Sequence, residues 1–104
     1  MDNCKASRGY SARAGEQVKL RVKASKYATT RHIQIFADNG DADLYVKAGS
    51  EATITDWDDS PYWQGSSEWI VERINPPLQN DEWYFILIDA AEAFHNLDIY
   101  ACFV

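Results

Sequence analysis

The chain has 104 residues and 11.9 kDa, enough for one domain with one core, and its 46% apolar and 13% aromatic content is that of a folded protein. Ten Lys and Arg against sixteen Asp and Glu give a formal charge of −6, which argues against a nucleic-acid duplex or an anionic bilayer as partner, although Arg8, Arg13, Lys19, Arg21, Lys23 and Lys26 leave room for local basic patches. No apolar run approaches the roughly 20 residues that span a bilayer, so membrane insertion is not expected.

Met1-Asp2-Asn3 has neither the charged n-region nor the apolar h-region of a signal peptide, so the sequence reads as cytosolic or as a mature chain restarted with methionine. Cys4 and Cys102 lie almost at opposite ends. A bridge between them would close a loop of nearly the whole chain and contribute about 4–5 kcal/mol by chain entropy. It would require neighbouring first and last strands and an oxidising compartment; the alternative is two unpaired thiols, with Cys102 a small buried hydrophobe. With only His32 and His95 besides, zinc-ligand spacing is lacking.

Period-two alternation then dominates. Val18, Leu20 and Val22 alternate with Gln17, Lys19, Arg21 and Lys23, predicting a strand with one buried and one wet face. Ile33 and Ile35 repeat the pattern between His32, Gln34 and Phe36, as do Leu44 and Val46, with Tyr45 pointing the other way. A long exposed loop follows. From Glu68 to Ile74, Trp69, Val71 and Arg73 fall on one side and Ile70, Glu72 and Ile74 on the other. The run Trp83-Tyr84-Phe85-Ile86-Leu87-Ile88 reads as a central strand covered on both faces. Leu97, Ile99, Ala101 and Phe103 alternate with Asp98, Tyr100 and Cys102 at the end. Turn chemistry at Arg13-Ala14-Gly15-Glu16, Asp38-Asn39-Gly40-Asp41, Gly65-Ser66-Ser67 and Asn75-Pro76-Pro77 separates the runs. Segments 24–30 and 89–95 are weakly patterned, and Asp89 to Phe94 spells a helical turn too short to nucleate alone. The expected fold is all-β: one antiparallel β-sandwich, jelly-roll-like, over residues 1–104.

Gly40-Asp41-Ala42-Asp43-Leu44-Tyr45-Val46, then Asp56-Trp57-Asp58 with Pro61-Tyr62, then Gly65-Ser66-Ser67-Glu68, then Trp83-Tyr84-Phe85-Ile86-Leu87 follow one another in order. This series, with Ala14-Gly15-Glu16 as opening turn, resembles the bacterial pre-peptidase C-terminal domain, a jelly-roll-like sandwich related to collagenase collagen-binding domains. The resemblance implies a non-catalytic accessory of secreted peptidases, extracellular or periplasmic; the lack of a visible leader leaves the cytoplasm open. Two departures stand out. Asp59 and Ile70 occupy positions where many members carry a disulfide, and Asp89-Ala90-Ala91-Glu92 replaces the usual late Gly-Tyr-Ser segment.

Asp38, Asp41 and Asp43, with Asp56 and Asp58 (and Asp59) on the later loop, are candidate oxygen ligands for Ca²⁺; the competing reading is turn-capping aspartates bonded to their own backbone. Trp57, Tyr62 and Trp63 beside Gln64 and the acidic groups are candidate ligand-binding residues, since a ring face stacks on a sugar or peptide while polar groups fix its orientation; the alternative is that one or two of the rings, Trp57 foremost, plug the sandwich end as core. Tyr45 joins them because sheet-face tyrosines contribute to the ligand surface in the collagen-binding relatives; packing in a second layer is its alternative. Trp69 and Trp83, lying in strands, are expected in the core. His32 and His95 are the only near-neutral general bases and no serine has a nucleophile's context, so no enzyme is expected. The expected function is a non-catalytic module that recognises a polymer, either a polysaccharide or an extended protein, with Ca²⁺ as candidate loop-ordering ion. The alternative is a small acidic stand-alone interaction or regulatory protein that binds a basic protein surface or self-associates.

Overall fold

The structure is a computed structural model, which describes residues 1–61 and 65–104. Seven strands run in chain order: β1 (Lys5–Ala12), β2 (Gln17–Ala24), β3 (Thr30–Phe36), β4 (Asp41–Ala48), β5 (Ser67–Arg73), β6 (Glu82–Glu92) and β7 (Phe94–Phe103). They form a four-stranded sheet of order β1-β7-β3-β5 and a three-stranded sheet of order β2-β6-β4, with every pairing antiparallel. Each connection crosses from one sheet to the other, so no sheet contains a local hairpin, and the sheets stack as an all-β sandwich.

Alternation decides what lies between the layers. Val22, Leu44, Val46, Ile86 and Ile88 from the small sheet meet Ile33, Ile35, Ile70, Leu97, Ile99 and Phe103 from the large one, all within one buried cluster. Tyr84 and Phe103 stack across the layers with ring centroids 4.4 Å apart. A second cluster lies outside the sandwich, on the outer face of the small sheet. There the loop after β4 folds back, so that Ala52 and Trp57 cover Tyr45 and Leu87. This second layer explains the unbroken apolar run in β6, whose Leu87 is 1% exposed although it faces away from the main core. Through Ala52 and Trp57 the loop packs on the sheet, while its residues 53–56 stay exposed.

Two segments differ from their sequence reading. Asp89 to Phe94 forms no helical turn: β6 continues to Glu92 and β7 begins at Phe94. Pairing of Ala42 with Ala90 and of Asp41 with Glu92, plus reciprocal backbone bonds between Ala90 and the Gly15-Glu16 turn, holds this stretch extended. Sheet pairing overrides a local propensity too short to act alone. Strand β1, with Ala6-Ser7-Arg8-Gly9 in its middle, has no apolar alternation and is extended because β7 supplies its ladder. Cys4 and Cys102 are joined by a disulfide beside this pairing, and Asn3 clamps the same end, its amide donating to the Phe103 carbonyl (2.9 Å) and accepting from the Phe103 N–H (2.8 Å).

Candidate functional site

Strand β4 lies at one edge of the small sheet, where alternate N–H groups would face outward unpaired. Residues of the long loop and of the start of β5 satisfy that row. Ser66 Oγ accepts from the Ala42 N–H (3.1 Å), Glu68 Oε1 from Leu44 (2.8 Å), the Asp59 carbonyl from Val46 (2.9 Å) and Asp58 Oδ2 from Ala48 (2.8 Å). Glu68 is fully buried in this role, and Ser66 is buried beside it. The Asp-Trp-Asp and Gly-Ser-Ser-Glu motifs therefore close a sheet edge.

That arrangement also places the five candidate metal ligands. Asp38 accepts from the Asn39 side chain, and Asp41 accepts from the Gly65 N–H at the start of β4. Asp56 pairs with Lys47 (2.6 Å) and Asp58 caps Ala48 at the far end of the same strand. At about 3.3 Å per residue the two groups are roughly 20 Å apart, so one oxygen cage cannot gather them. Among the described residues no three or more His, Cys, Asp or Glu are grouped to hold a metal. Burial, reinforced by Asp41 and by Asp89 across the ladder, pushes the Asp43 carboxyl up.

Of the ligand-binding candidates, the two that are described, Tyr45 and Trp57, come together by packing. Tyr45 is 7% exposed, its ring 6.2 Å from that of half-buried Trp57, because the returning loop roofs it. It is a packing residue, contrary to the role its relatives suggested. Tyr62, Trp63 and Gln64 lie outside the described residues. The disulfide pair Cys4 and Cys102 sits on the other sheet.

The open surface is elsewhere: the outer face of the large sheet. Register aligns Tyr100, Gln34 and Trp69 in one row across β7, β3 and β5, with Phe36 on one side of the row and His32 and Val71 on the other. Phe36, Trp69 and Val71 are 53%, 46% and 64% exposed. Trp69 and Trp83, expected in the core, are both partly solvent-facing, because each alternates with a buried neighbour (Ile70, Tyr84). Neighbouring strands lie about 4.8 Å apart, so Tyr100 and Trp69 are about 10 Å apart on a flat sheet. His32 fixes the row from beside it, meeting Tyr100 edge-on at 5.5 Å and approaching Gln34 Oε1 at 3.1 Å. The signal for this face was present in the alternation of Trp69 and Val71 against Ile70.

At the β5 end of the row a shallow hollow of about 320 Å³ opens between Asp59 and Pro61 on one side and Trp69 and Val71 on the other. Arg31 holds its base, pairing with Asp59 (3.0 Å) and Glu72 (2.8 Å). Burial and the adjoining Glu72 raise the Asp59 carboxyl to about 6, while the hydrogen bond from Asp59 and the pairing with Arg31 lower Glu72.

Known proteins supply the remaining context. Part of the chain is similar to the virulence metalloprotease of Vibrio anguillarum, 49% identical over 41 residues, and to the zinc metalloprotease of Helicobacter pylori, 53% identical over 36. These matches take in 39% and 35% of this chain but only 7% and 14% of those proteins. The hemagglutinin/proteinase of Vibrio cholerae matches at 53% identity over 35% of the chain and 6% of its own length. The solution structure of vEP C-ter 100 shares the fold, with a TM-score of 0.76 at 24% identity over 96% of this chain and 94% of that one. No family model matches the chain. High local identity to parts of bacterial metalloproteases and a shared sandwich over nearly the entire chain support the resemblance to the pre-peptidase C-terminal domain that the ordered motifs carry.

Proposed function

We propose that the domain is a non-catalytic accessory module that docks an extended polymer, a polysaccharide or an unfolded protein segment, on the outer face of the large sheet. The observation that carries this reading is the cross-strand row Tyr100–Gln34–Trp69 with exposed Phe36 and Val71 beside it. Rings on a flat sheet offer broad stacking area, and Gln34 between them offers both a donor and an acceptor to orient a chain lying across the strands. A site of this shape has no enclosed cleft to shield reacting groups from water, which suits binding rather than catalysis. Similarity to small parts of metalloproteases supports an accessory role outside the cell, where the disulfide is stable.

The test is a glycan and collagen-peptide array probed with the wild-type chain, Trp69→Ala and Tyr100→Ala. Wild type is expected to retain at least one polymer, and each variant to lose tenfold or more of that affinity while its thermal unfolding stays within a few degrees. Retention of full affinity in both variants would refute the face as the site.

A further inference from the structure

The outer face of the opposite sheet carries a different chemistry. Strand β2 is an edge strand, and its alternation turns Lys19, Arg21 and Lys23 outward, all exposed. Their ladder partners on β6 are Leu87, Phe85 and Trp83. The Arg21 guanidinium lies over the Trp83 ring at 4.3 Å from its centroid, and the Lys23 ammonium lies 5.9 Å from the same centroid. Trp83 is nonetheless 38% exposed. Next to this pair is a shallow depression of about 330 Å³ lined by Lys19, Leu20, Arg21, Glu51 and Phe85. In a chain of net charge −6, three cations in a row with aromatic support form a local field opposite in sign to the whole.

Lysines on an edge strand commonly guard against unwanted strand pairing. Guarding needs charge alone, whereas this surface has more. Arg21 is held by stacking on Trp83, which fixes its donors in place. Phe85 gives the depression an apolar wall, and Glu51 stands in the same depression, 3.9 Å from Lys19. A carboxylate there penalises a phosphodiester chain or an acidic peptide, whose charged groups only accept hydrogen bonds. A sugar, by contrast, can donate its hydroxyls to Glu51, lay its C–H face on Phe85, and offer an acidic substituent to Arg21 and the lysines. We propose that this face binds an acidic linear polysaccharide, with Arg21 and Lys23 engaging its carboxylate or sulfate groups and Phe85 and Glu51 its ring.

The experiment is a titration of the isotope-labelled intact chain, disulfide in place, with a heparin hexasaccharide, a maltohexaose and a hexaglutamate peptide, followed by amide NMR shifts. The expected result is saturable binding of the heparin hexasaccharide alone, with shifts confined to residues 19–23, 51 and 83–85 and affinity falling as salt rises. Arg21→Gln should weaken it at least tenfold, and Trp69→Ala should leave it unchanged, which separates this site from the aromatic face. The inference is overturned if the heparin hexasaccharide does not saturate, if hexaglutamate binds as tightly, or if Arg21→Gln binds as wild type. Equal binding of hexaglutamate would identify the row as an electrostatic edge guard only.

Discussion

Replacing Gly40 by alanine tests how the turn before β4 is built. Gly40 sits at φ +70°, a region where an L side chain costs about 1–2 kcal/mol. A Cβ added there would stand 2.1 Å from the Ala93 carbonyl oxygen and 2.8 Å from its carbon. Both are backbone atoms between β6 and β7, so neither can rotate away, and relief requires the two segments to part by more than an ångström. That movement strains the Asn39 side chain, which accepts from the His95 N–H (2.7 Å) and donates to the His95 carbonyl (3.1 Å). Overpacking of this kind costs about 1–3 kcal/mol and each of the two weakened hydrogen bonds about 0.5–1.5 kcal/mol, which brings the total to roughly 3–8 kcal/mol. Gly15 is the control: its φ is +86° but no atom lies within 4 Å of an added Cβ, so Gly15→Ala should cost only about 1–2 kcal/mol. Urea unfolding of both variants measures the difference, read from the midpoint at unchanged slope. Failure of Gly40→Ala to fold, with Gly15→Ala folded, counts as the expected result. Equal destabilisation of the two would refute the close approach to Ala93 as the reason for glycine.

Three further outcomes are expected. Removing the disulfide by Cys4→Ala with Cys102→Ala opens a link spanning 98 residues of sequence and should cost about 2–5 kcal/mol, seen as a lower urea midpoint that reductant reproduces in wild type. Glu68→Leu leaves the Leu44 N–H without its acceptor and should cost about 1–3 kcal/mol, whereas Glu68→Gln keeps an acceptor oxygen and should cost less; calorimetry of the pair separates the hydrogen bond from side-chain volume. Because Asp59 titrates higher in the fold than its ordinary 3.8, its stabilising proton is fully bound below that value and is lost as pH rises through about 6. The melting temperature should therefore fall across that window, and Asp59→Asn should flatten the decline. A slope unchanged in the variant would assign the effect to another group.

Which parts were legible in the sequence follows from where the decisive force lies. The faces of β2, β4 and β5 were readable because burial on one side imprints period two on Val18 to Val22, Leu44 to Val46 and Trp69 to Arg73. Strand β1 was not, since its extended state is set by partners some ninety residues away and leaves no apolar pattern of its own. Tyr45 was correctly placed away from Leu44 and Val46, but alternation says nothing about a loop returning to cover that face. Trp69 and Trp83 were misjudged by residue type, although their neighbours already assigned them outward. For the acidic motif residues the sequence left two readings open, a cation or the backbone, and the N–H row along the β4 edge gives the Asp58 side chain and the Asp59 carbonyl a backbone partner.

That last point links the fold to its two surfaces. A sandwich of strands that cross between sheets at every step leaves edges on both layers, and an open edge invites another chain. Here the edge at β4 is closed internally by Ser66, Glu68, Asp58 and Asp59. The loop that makes this closure possible also roofs the β4 side of the small sheet, burying Tyr45 and Leu87. Among the described residues, the roof leaves uncovered the β2 side, where the cations and Trp83 stand, and much of the outer face of the large sheet, where Trp69, Gln34 and Tyr100 align. The segment with the Asp-Trp-Asp and Gly-Ser-Ser-Glu motifs thus acts structurally, whereas the Trp83-Tyr84-Phe85-Ile86-Leu87 motif lends Trp83 and Phe85 to an uncovered face.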